Sequence, residues 1–188
     1  LCFDGYNWSL TPLPGNAIAR SLLVDGNRLY VGSYENFGYF TRDAFGRLHF
    51  TSLWNLVRHY TPHHDEIWNI IKTRDGKILF QSFTSWFEYD GHTVKVHYSS
   101  HRLPLYFFNV FGKIYSQLIN GPFCEVLNGR YIPVLSRTVF HGDNVVAALP
   151  LHRGRMLLCT EFNGLFTYDG HHISSFRTEI DSKLKMAQ

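Results

Sequence analysis

Residues 25–41 read Asp25-Gly-Asn-Arg-Leu-Tyr-Val-Gly-Ser-Tyr-Glu-Asn-Phe-Gly-Tyr-Phe-Thr41. A glycine turn opens this stretch, an apolar run follows, a short polar loop interrupts it, and a second apolar run closes it. Three later segments repeat the first run and open, like it, on a basic residue: Lys77-Ile-Leu-Phe-Gln-Ser-Phe83, Lys113-Ile-Tyr-Ser-Gln-Leu-Ile119 and Arg155-Met-Leu-Leu-Cys-Thr-Glu161. An internal repeat has to be sought before local structure, because it determines the architecture.

Two interleaved series of glycines mark the repeat. The first series follows apolar or aromatic runs, mostly in Asp-Gly or Asn-Gly pairs, and comprises Gly5, Gly46, Gly91, Gly129 and Gly170. The second precedes the basic residues and comprises Gly26, Gly76, Gly112 and Gly154. Asp-Gly and Asn-Gly predict tight hairpins, because a type I′ turn needs positive φ at both central residues. The period of about 40 residues is typical of one four-stranded blade of a β-propeller.

Each repeat therefore predicts four antiparallel strands, which we name a, b, c and d in chain order. The predicted a strands are 18–23, 67–72, 105–110 and 145–149, and the predicted c strands are 38–41, 86–89, 123–127 and 165–168. The expected fold class is all-β, a β-propeller with about four four-stranded blades plus a partial blade. The expected boundaries are 1–11 for the half blade, 12–58, 59–101 and 102–140 for three blades, and 141–188 for a blade and its tail.

Other architectures fit this pattern less well. An α-helical fold needs apolar residues on one helix face over several turns, and only 52–59 allows a short helix of that kind. A β-sandwich also has many short strands, but it does not require two glycine series in phase. The sequence offers no further strands that would complete the half blade at 1–11, so we expect the chain to be a fragment of a larger propeller. Unpaired strand edges template association, which predicts a homodimer.

Composition argues against several other classes of protein. Aromatic residues make up 16% of the chain, and such residues suit the pleated, half-buried surface of a sheet. The net charge of +3 comes from scattered basic residues, so no nucleic-acid partner is expected. The apolar runs are too short to span a bilayer. Cys2, Cys124 and Cys159 match neither a disulfide framework nor a zinc site, and we expect small buried side chains.

Three strings resemble a known family: Leu29-Tyr-Val-Gly-Ser-Tyr-Glu-Asn-Phe-Gly-Tyr-Phe40, Glu66-Ile-Trp-Asn-Ile70 with Phe80-Gln-Ser-Phe83, and Asn163-Gly-Leu-Phe-Thr-Tyr-Asp169. They are similar to the propeller repeats in periplasmic sensor regions of bacterial hybrid two-component and one-component regulators of polysaccharide use. The resemblance implies a seven-bladed propeller in the periplasmic ectodomain of an inner-membrane protein. It also implies a membrane helix and a histidine kinase or helix-turn-helix output domain outside these residues. The string Ile119-Asn-Gly-Pro-Phe123 departs most from the pattern.

Ligand binding is expected on the b–c loops, because a propeller scaffold holds such loops in place. Sugar recognition needs flat aromatic faces for the ring, and amide, hydroxyl and carboxylate groups for its hydroxyls. We expect an oligosaccharide ligand and no cofactor, catalytic residue or metal ligand. For Trp86, a buried position in a c strand is the alternative. The candidate ligand-binding residues are Tyr34, Glu35, Asn36, Thr84, Trp86, Asn120, Glu161 and Asn163.

Three functions remain open at this point: an extracytoplasmic sensor, a carbohydrate-active propeller enzyme, and a protein-interaction scaffold. A glycosidase or lyase needs two converging carboxylates, and Glu35 and Glu161 are the pair in equivalent loops. No Gly-x-Ser-x-Gly elbow of a serine hydrolase occurs in the sequence. The string His59-Tyr-Thr-Pro-His-His-Asp-Glu66 carries metal-binding side chains, but we expect a solvated linker between blades. The sequence therefore favours a non-enzymatic sensor.

Overall fold

The computed structural model describes residues 1–3, 5–60, 65–98 and 101–179. Its regular structure consists of short β-strands and single 3₁₀ turns at Pro14–Asn16, Trp54–Leu56, Arg137–Phe140 and His152–Gly154. The strands are β1 (Cys2–Phe3), β2 (Trp8–Ser9), β3 (Ser21–Asp25), β4 (Arg28–Ser33), β5 (Asn36–Arg42), β6 (Leu48–Ser52), β7 (Asn69–Lys72), β8 (Ile78–Gln81), β9 (Ser85–Tyr89), β10 (Val94–Tyr98), β11 (Pro104–Val110), β12 (Lys113–Leu118), β13 (Phe123–Leu127), β14 (Arg130–Leu135), β15 (Val145–Pro150), β16 (Met156–Thr160), β17 (Leu165–Tyr168) and β18 (Ile173–Ser175).

Four sheets of four strands account for β3 to β18, and every sheet keeps its strands in chain order. We call them blade 1 (β3–β6), blade 2 (β7–β10), blade 3 (β11–β14) and blade 4 (β15–β18). The strands β1 and β2 form a separate two-stranded sheet in which Cys2 lies opposite Ser9. Antiparallel strands joined consecutively by hairpins are the organisation of a propeller blade. The predicted β-propeller fold class is confirmed.

The glycine turns of blade 3 follow the type I′ prediction. Leu127 pairs with Arg130, and the two residues between them, Asn128 and Gly129, have φ values of 50° and 78°. The a–b turn at 111–112 has the same design. Positive φ at two successive residues matches the twist of the flanking strands, so these turns hold the blade in register.

The c–d turns of blades 2 and 4 do not have the predicted two-residue form. In blade 2, Tyr89 pairs with Val94, which leaves a four-residue loop. The Asp90 carboxylate accepts hydrogen bonds from the amides of His92 and Thr93 at 2.8 and 2.7 Å, and it closes the wider loop. These bonds lower the pKa of Asp90 to about 2, the Thr93 amide contributing most. The equivalent turn in blade 4 is closed in the same way by Asp169.

The chain folds into two compact units, which we describe separately. Unit 1 contains the residues up to Ile70 together with Lys77–Tyr98. In its main core blade 1 packs on blade 2 through aromatic rings, and the centroids of Phe37 and Phe80 are 4.5 Å apart. The opposite face of blade 1 carries a second cluster of Leu13, Val31 and Phe40. Blade 1 is therefore a sheet with two apolar faces. The buried residues of the main core are Tyr30, Phe37, Leu53, Ile67, Ile70, Ile78, Phe80, Phe87 and Tyr89.

Blade 2 docks on blade 1 at Gly32. The carbonyl and side chain of Ile67 and the hydroxyl of Ser21 occupy the space that a Cβ at position 32 would need. The amide of Ile67 donates to the carbonyl of Ser33 at 3.0 Å, and the Ser21 hydroxyl donates to the Ile67 carbonyl at 2.8 Å. Glycine is required here because two backbones approach closely.

Unit 2 contains Ile71–Gly76 and the described residues from 101 onward, which include blades 3 and 4. The rings of Tyr115 and Phe123 are nearly parallel, with centroids 5.5 Å apart. Phe140, from the 3₁₀ turn between blades 3 and 4, is fully buried and meets Phe166 edge-on. Burying such a ring contributes roughly 2 kcal/mol. The buried residues of this core are Val110, Tyr115, Phe123, Phe140, Val145, Ala148, Met156, Leu158, Phe166 and Tyr168.

One strand boundary in unit 1 was predicted wrongly. The a strand of blade 1 begins at Ser21 rather than at residue 18, and Ile18 is exposed. The segment 52–59, which allowed a short helix, contains a single 3₁₀ turn, Trp54–Leu56. The amide of Leu53 donates to the Phe37 carbonyl at 2.9 Å, so this residue is tied to β5 and does not begin a longer helix.

Candidate functional site

Each b–c loop carries an exposed, largely apolar side chain at its tip. The exposed fractions of Tyr34, Phe83, Ile119 and Phe162, in blades 1 to 4, are 43%, 56%, 45% and 53%. Because soluble proteins rarely repeat exposed large apolar side chains at equivalent positions without a use for them, the b–c loops are the first candidates for a binding surface.

A hydroxyl near the end of the b strand closes the loop in three of the four blades. Ser33, Ser82 and Thr160 occupy equivalent positions, and each donates a hydrogen bond of 2.9 Å to the carbonyl of the residue at which the chain turns back. In blades 2 and 4 the same carbonyl also accepts from the backbone amide of that hydroxyl residue, at 2.9 and 3.0 Å, so main chain and side chain close the loop together. The small polar residue noted near the end of each b run therefore shapes the loop.

In unit 1 a buried aspartate holds the b–c loops of blades 1 and 2 together. The Asp65 carboxylate accepts from the amides of Phe83 and Thr84 at 2.9 and 3.2 Å and from the Thr84 hydroxyl at 2.6 Å. Its main-chain carbonyl accepts from the amide of Glu35 at 2.9 Å. Charge-assisted bonds of this kind are stronger than neutral ones, so the blade 2 loop is firmly held, and the main-chain bond from Glu35 joins the blade 1 loop to the same residue.

Aromatic and charged side chains cluster around these two loops. The rings of Trp68 and Phe83 stack with centroids 5.9 Å apart. Tyr34 forms an isolated β-bridge with Glu66, and Glu66 accepts from Arg20 in a salt bridge of 2.9 Å. We call this group the unit 1 loop surface; its residues are Arg20, Tyr34, Glu35, Glu66, Trp68 and Phe83.

The electrostatics of this surface keep Tyr34 in its neutral form. Partial burial raises the pKa of the Tyr34 phenol, and the neighbouring carboxylates of Glu35 and Glu66 raise it further. The phenol therefore remains both a hydrogen-bond donor and an acceptor at neutral pH. Together with the guanidinium of Arg20, the surface offers aromatic faces, acceptors and a cationic donor.

Blade 4 uses a second aspartate in the same way. Asp143 is buried, and its carboxylate accepts from the amides of Phe162 and Asn163 at 2.6 and 2.9 Å and from the amide of Asn144 at 2.8 Å. The Asn163 side chain also donates to it, at 3.2 Å. Burial alone would raise the pKa of Asp143, but the amides of Phe162, Asn144 and Asn163 together lower it.

Blade 3 has neither the hydroxyl nor the aspartate. Leu118 stands at the hydroxyl position, and Gln117 takes over the closure of the loop. Its Nε2 donates to the carbonyls of Leu118 and Gly121 at 2.9 and 3.0 Å, and its Oε1 accepts from the amide of Val145 at 3.2 Å. The loop predicted to depart most from the repeat is thus held by a neutral amide.

The predicted binding residues do not form one group. Tyr34, Glu35 and Thr84 come together around Asp65 in unit 1. Asn36 lies in β5, where its Oδ1 accepts from Ser52 at 3.1 Å. Asn120, Glu161 and Asn163 belong to unit 2, and Asn163 serves to hold its own loop against Asp143.

Trp86 is not on the loop surface. It lies in β9, is buried, and stacks on His97 with a centroid distance of 3.7 Å and an interplanar angle of 5°. Burial lowers the pKa of His97, so the stacked imidazole is neutral at physiological pH, with Glu88 Oε2 3.4 Å from its Nε2. The alternative interpretation of Trp86, a core position in a c strand, describes the structure.

Sequence reasoning missed Asp65, Asp143, Trp68 and Phe83. The signal for the two aspartates is an Asp-x-Ile or Asp-x-Val string at the start of strand a, in Asp65-Glu-Ile and Asp143-Asn-Val. Asp65 had been assigned to a solvated linker, whereas it is buried and fully engaged. Residues 61–64 of that linker lie outside the described residues.

The described residues contain neither a metal-binding cluster nor a membrane-spanning helix. Within them, no group of three His, Cys, Asp or Glu side chains is arranged to hold a metal ion. None of their helices is long and apolar enough to cross a membrane. Cys124 is buried and Cys159 partly buried, and neither forms a disulfide.

No protein-family model matches the sequence, and no curated protein sequence matches it. Solved structures do match. One is the extracellular domain described as that of a hybrid two-component system from B. thetaiotaomicron, with 16% identity and a TM-score of 0.59, covering 86% of this chain and 22% of that chain. Another is described as the extracellular domain of a one-component system from the same organism, with 15% identity, a TM-score of 0.62 and the same coverage. A third is YCF48 bound to D1 peptide, with 9% identity and a TM-score of 0.55, covering 96% of this chain and 72% of that chain.

These similarities are similarities of fold. All three matching structures are propeller-like, in agreement with the four blades of this chain. The chain spans about 22% of the two B. thetaiotaomicron domains that it matches. The class of regulator that the sequence strings resemble is thus represented among the matching structures.

Proposed function

We propose that this chain is part of the extracytoplasmic sensor region of a transmembrane signalling regulator, and that it binds an oligosaccharide on the unit 1 loop surface. The observation that carries the proposal is the grouping of Tyr34, Trp68 and Phe83 with Glu35, Glu66 and Arg20 on loops that Asp65 holds together. The chemistry is recognition and not bond cleavage.

The chemistry of this surface suits a sugar. Exposed rings pack against the apolar face of a pyranose, while carboxylates and a guanidinium accept from and donate to its hydroxyls. A surface whose loops are already held in place spends little free energy on ordering when the ligand binds. The fold likeness to extracellular domains of signalling systems supports the same assignment. A membrane helix and an output domain, a histidine kinase or a helix-turn-helix module, belong to the proposal as parts outside these residues.

Titration of the chain with a panel of plant and host oligosaccharides tests the proposal. We expect a rise in melting temperature and a calorimetric binding signal with at least one glycan, and no released sugar. Replacing Phe83 with Ala should weaken that binding about fivefold, the equivalent of roughly 1 kcal/mol for an aromatic contact. The matched control is Phe45→Ala, since Phe45 is also exposed in unit 1 but lies on the c–d turn of blade 1.

The outcomes separate the three functions. Release of sugar would replace the sensor with a carbohydrate-active enzyme. Binding that Phe83→Ala and Phe45→Ala leave equally unaffected would remove the site from this surface. Absence of binding by every glycan would favour the interaction scaffold, for which the fold likeness to YCF48 bound to D1 peptide is the supporting observation.

Self-association is part of the same proposal. Leu22 and Val24 alternate with the inward-facing Leu23 and are exposed, so they lie on the second apolar face of blade 1. A cavity of about 380 Å³ lies on this face. We expect the chain to dimerise, and the double variant Leu22→Lys, Val24→Lys to weaken dimerisation at least tenfold by light scattering. The exposed Ile132 of unit 2 provides the control, Ile132→Lys. A monomeric wild-type chain at high concentration would contradict the proposal.

A further inference from the structure

A cavity of about 210 Å³ lies at the b–c loop of blade 3, in unit 2. Asn120 lines it from the loop, and Tyr131 and Pro133 line it from β14. His101 and Arg102 line it from the segment that precedes β11. No residue of the unit 1 loop surface takes part in it.

The walls of this cavity are fixed by the contacts that distinguish blade 3. The Gln117 side chain holds the carbonyl of Gly121 at 3.0 Å, and the amide of Ile119 donates to the carbonyl of Leu103 at 2.9 Å. A Cβ at position 121 would lie 2.9 Å from the Cβ of Leu118, so glycine allows the loop to fold against its own strand. The cavity therefore exists without a ligand, which is the usual state of small-molecule sites.

The one permanent charge among the described lining residues is the guanidinium of Arg102. Arg102 and His101 are both exposed residues beside it, and the lining contains no aspartate or glutamate among the residues that the structure describes. A guanidinium binds a carboxylate in a bidentate geometry, and an asparagine side chain adds two further donors. The ring of Tyr131 and the ring of Pro133 provide apolar walls for the body of such a ligand.

We propose that this cavity binds a small organic carboxylate, with the carboxylate at Arg102 and a compact ring against Tyr131 and Pro133. The inference is independent of oligosaccharide binding on unit 1, since the two sites share no residue. A cavity of about 210 Å³ has room for a single ring.

Cys124 at the cavity is compatible with an anion. Burial raises the pKa of its thiol to about 11, and the nearby charge of Arg102 acts in the opposite direction. The thiol is therefore uncharged at neutral pH and does not repel a carboxylate. It also remains a weak nucleophile, so the ligand binds reversibly.

Nuclear magnetic resonance titration of the ¹⁵N-labelled full chain tests the proposal with two matched pairs of probes. Benzoate is compared with benzamide, and D-glucuronate with D-glucose, because each pair keeps the ring and changes the charge. We expect at least one carboxylate to shift the amide signals of Ile119, Asn120 and Gly121, and its neutral partner to shift none of them. Binding of benzoate alone identifies an apolar ring as the body of the ligand, and binding of D-glucuronate alone identifies a sugar acid.

Charge variants locate the contact. Arg102→Gln should weaken carboxylate binding about tenfold, the usual loss for one charged hydrogen-bonding group, while Arg102→Lys, which keeps the charge but loses the bidentate geometry, should weaken it less. Arg155→Gln is the control, because Arg155 is equally exposed in unit 2 and does not line the cavity. Equal binding of both members of each pair, failure of both carboxylates, or equal effects of Arg102→Gln and Arg155→Gln would each overturn the proposal.

Discussion

Blades 3 and 4 close the same loop with opposite chemistry. In blade 4 the carboxylate of Asp143, from the segment before strand a, accepts three backbone amides. In blade 3 the amide of Gln117, from strand b itself, donates to two carbonyls. The blade 3 loop also lines a cavity. Because a carboxylate titrates and a side-chain amide does not, the two loops should differ in their sensitivity to pH.

Removing the blade 4 carboxylate should have the largest effect. Asp143→Ala leaves several buried amides without an acceptor, so we expect it to lower the free energy of unfolding by about 3 kcal/mol. Asp169→Ala is the control in the same blade, because Asp169 also accepts two amides but is exposed, and it should cost clearly less stability than Asp143→Ala. Urea denaturation measures both, and equal losses would show that the buried position of Asp143 is irrelevant.

The Gln117 side chain of blade 3 should contribute less to stability than the Asp143 carboxylate, because its hydrogen bonds are neutral. We expect Gln117→Ala to cost about 2 kcal/mol and to speed hydrogen exchange at the amide of Val145, which donates to Gln117 Oε1. The amide of Phe162, which donates to Asp143, should keep its protection in this variant. Faster exchange at both amides would mean that the two closures are one cooperative element, and the contrast between the blades would be lost.

The smallest effect is the dependence on pH. Because the pKa of Asp143 is lower in the folded chain than in the unfolded one, its carboxylate adds stability that is complete at neutral pH. That stability is lost as the pH falls below about 4. The difference in stability between the wild type and Asp143→Asn should shrink from pH 7 to pH 3. The corresponding difference for Gln117→Ala should stay constant, as urea titrations at both pH values would show.

The blades were predictable because their signals are local. Glycines at the turns and alternating apolar residues along each strand are properties of consecutive residues, so Gly129 and the strands around it were placed correctly. Trp86 illustrates the limit of such reasoning. The predicted c strand already began at Trp86, and successive side chains of a strand point to opposite faces, so the side of the sheet on which this ring packs depends on partners such as His97 that the local pattern does not reveal.

The binding surface was less predictable, because it depends on contacts distant in sequence. Asp65 reaches Phe83 and Thr84 across 18 and 19 residues, and nothing in the string around Asp65 announces these partners. The neighbouring His63 and His64 suggested a metal site or a solvated linker instead. Asp65 and Asp143 occupy equivalent positions in their blades. An alignment of the blades would therefore have identified Asp65 as the residue that holds the b–c loop.

The burial of Cys124 and Cys159 has a consequence for their reactivity. Burial raises the pKa of both Cys124 and Cys159, so almost none of either thiol is ionised at neutral pH. Since the thiolate is the species that attacks disulfides and oxidants, both side chains react slowly once the blades have formed. Burial thus protects Cys124 and Cys159 from mispairing under oxidising conditions once the blades have formed.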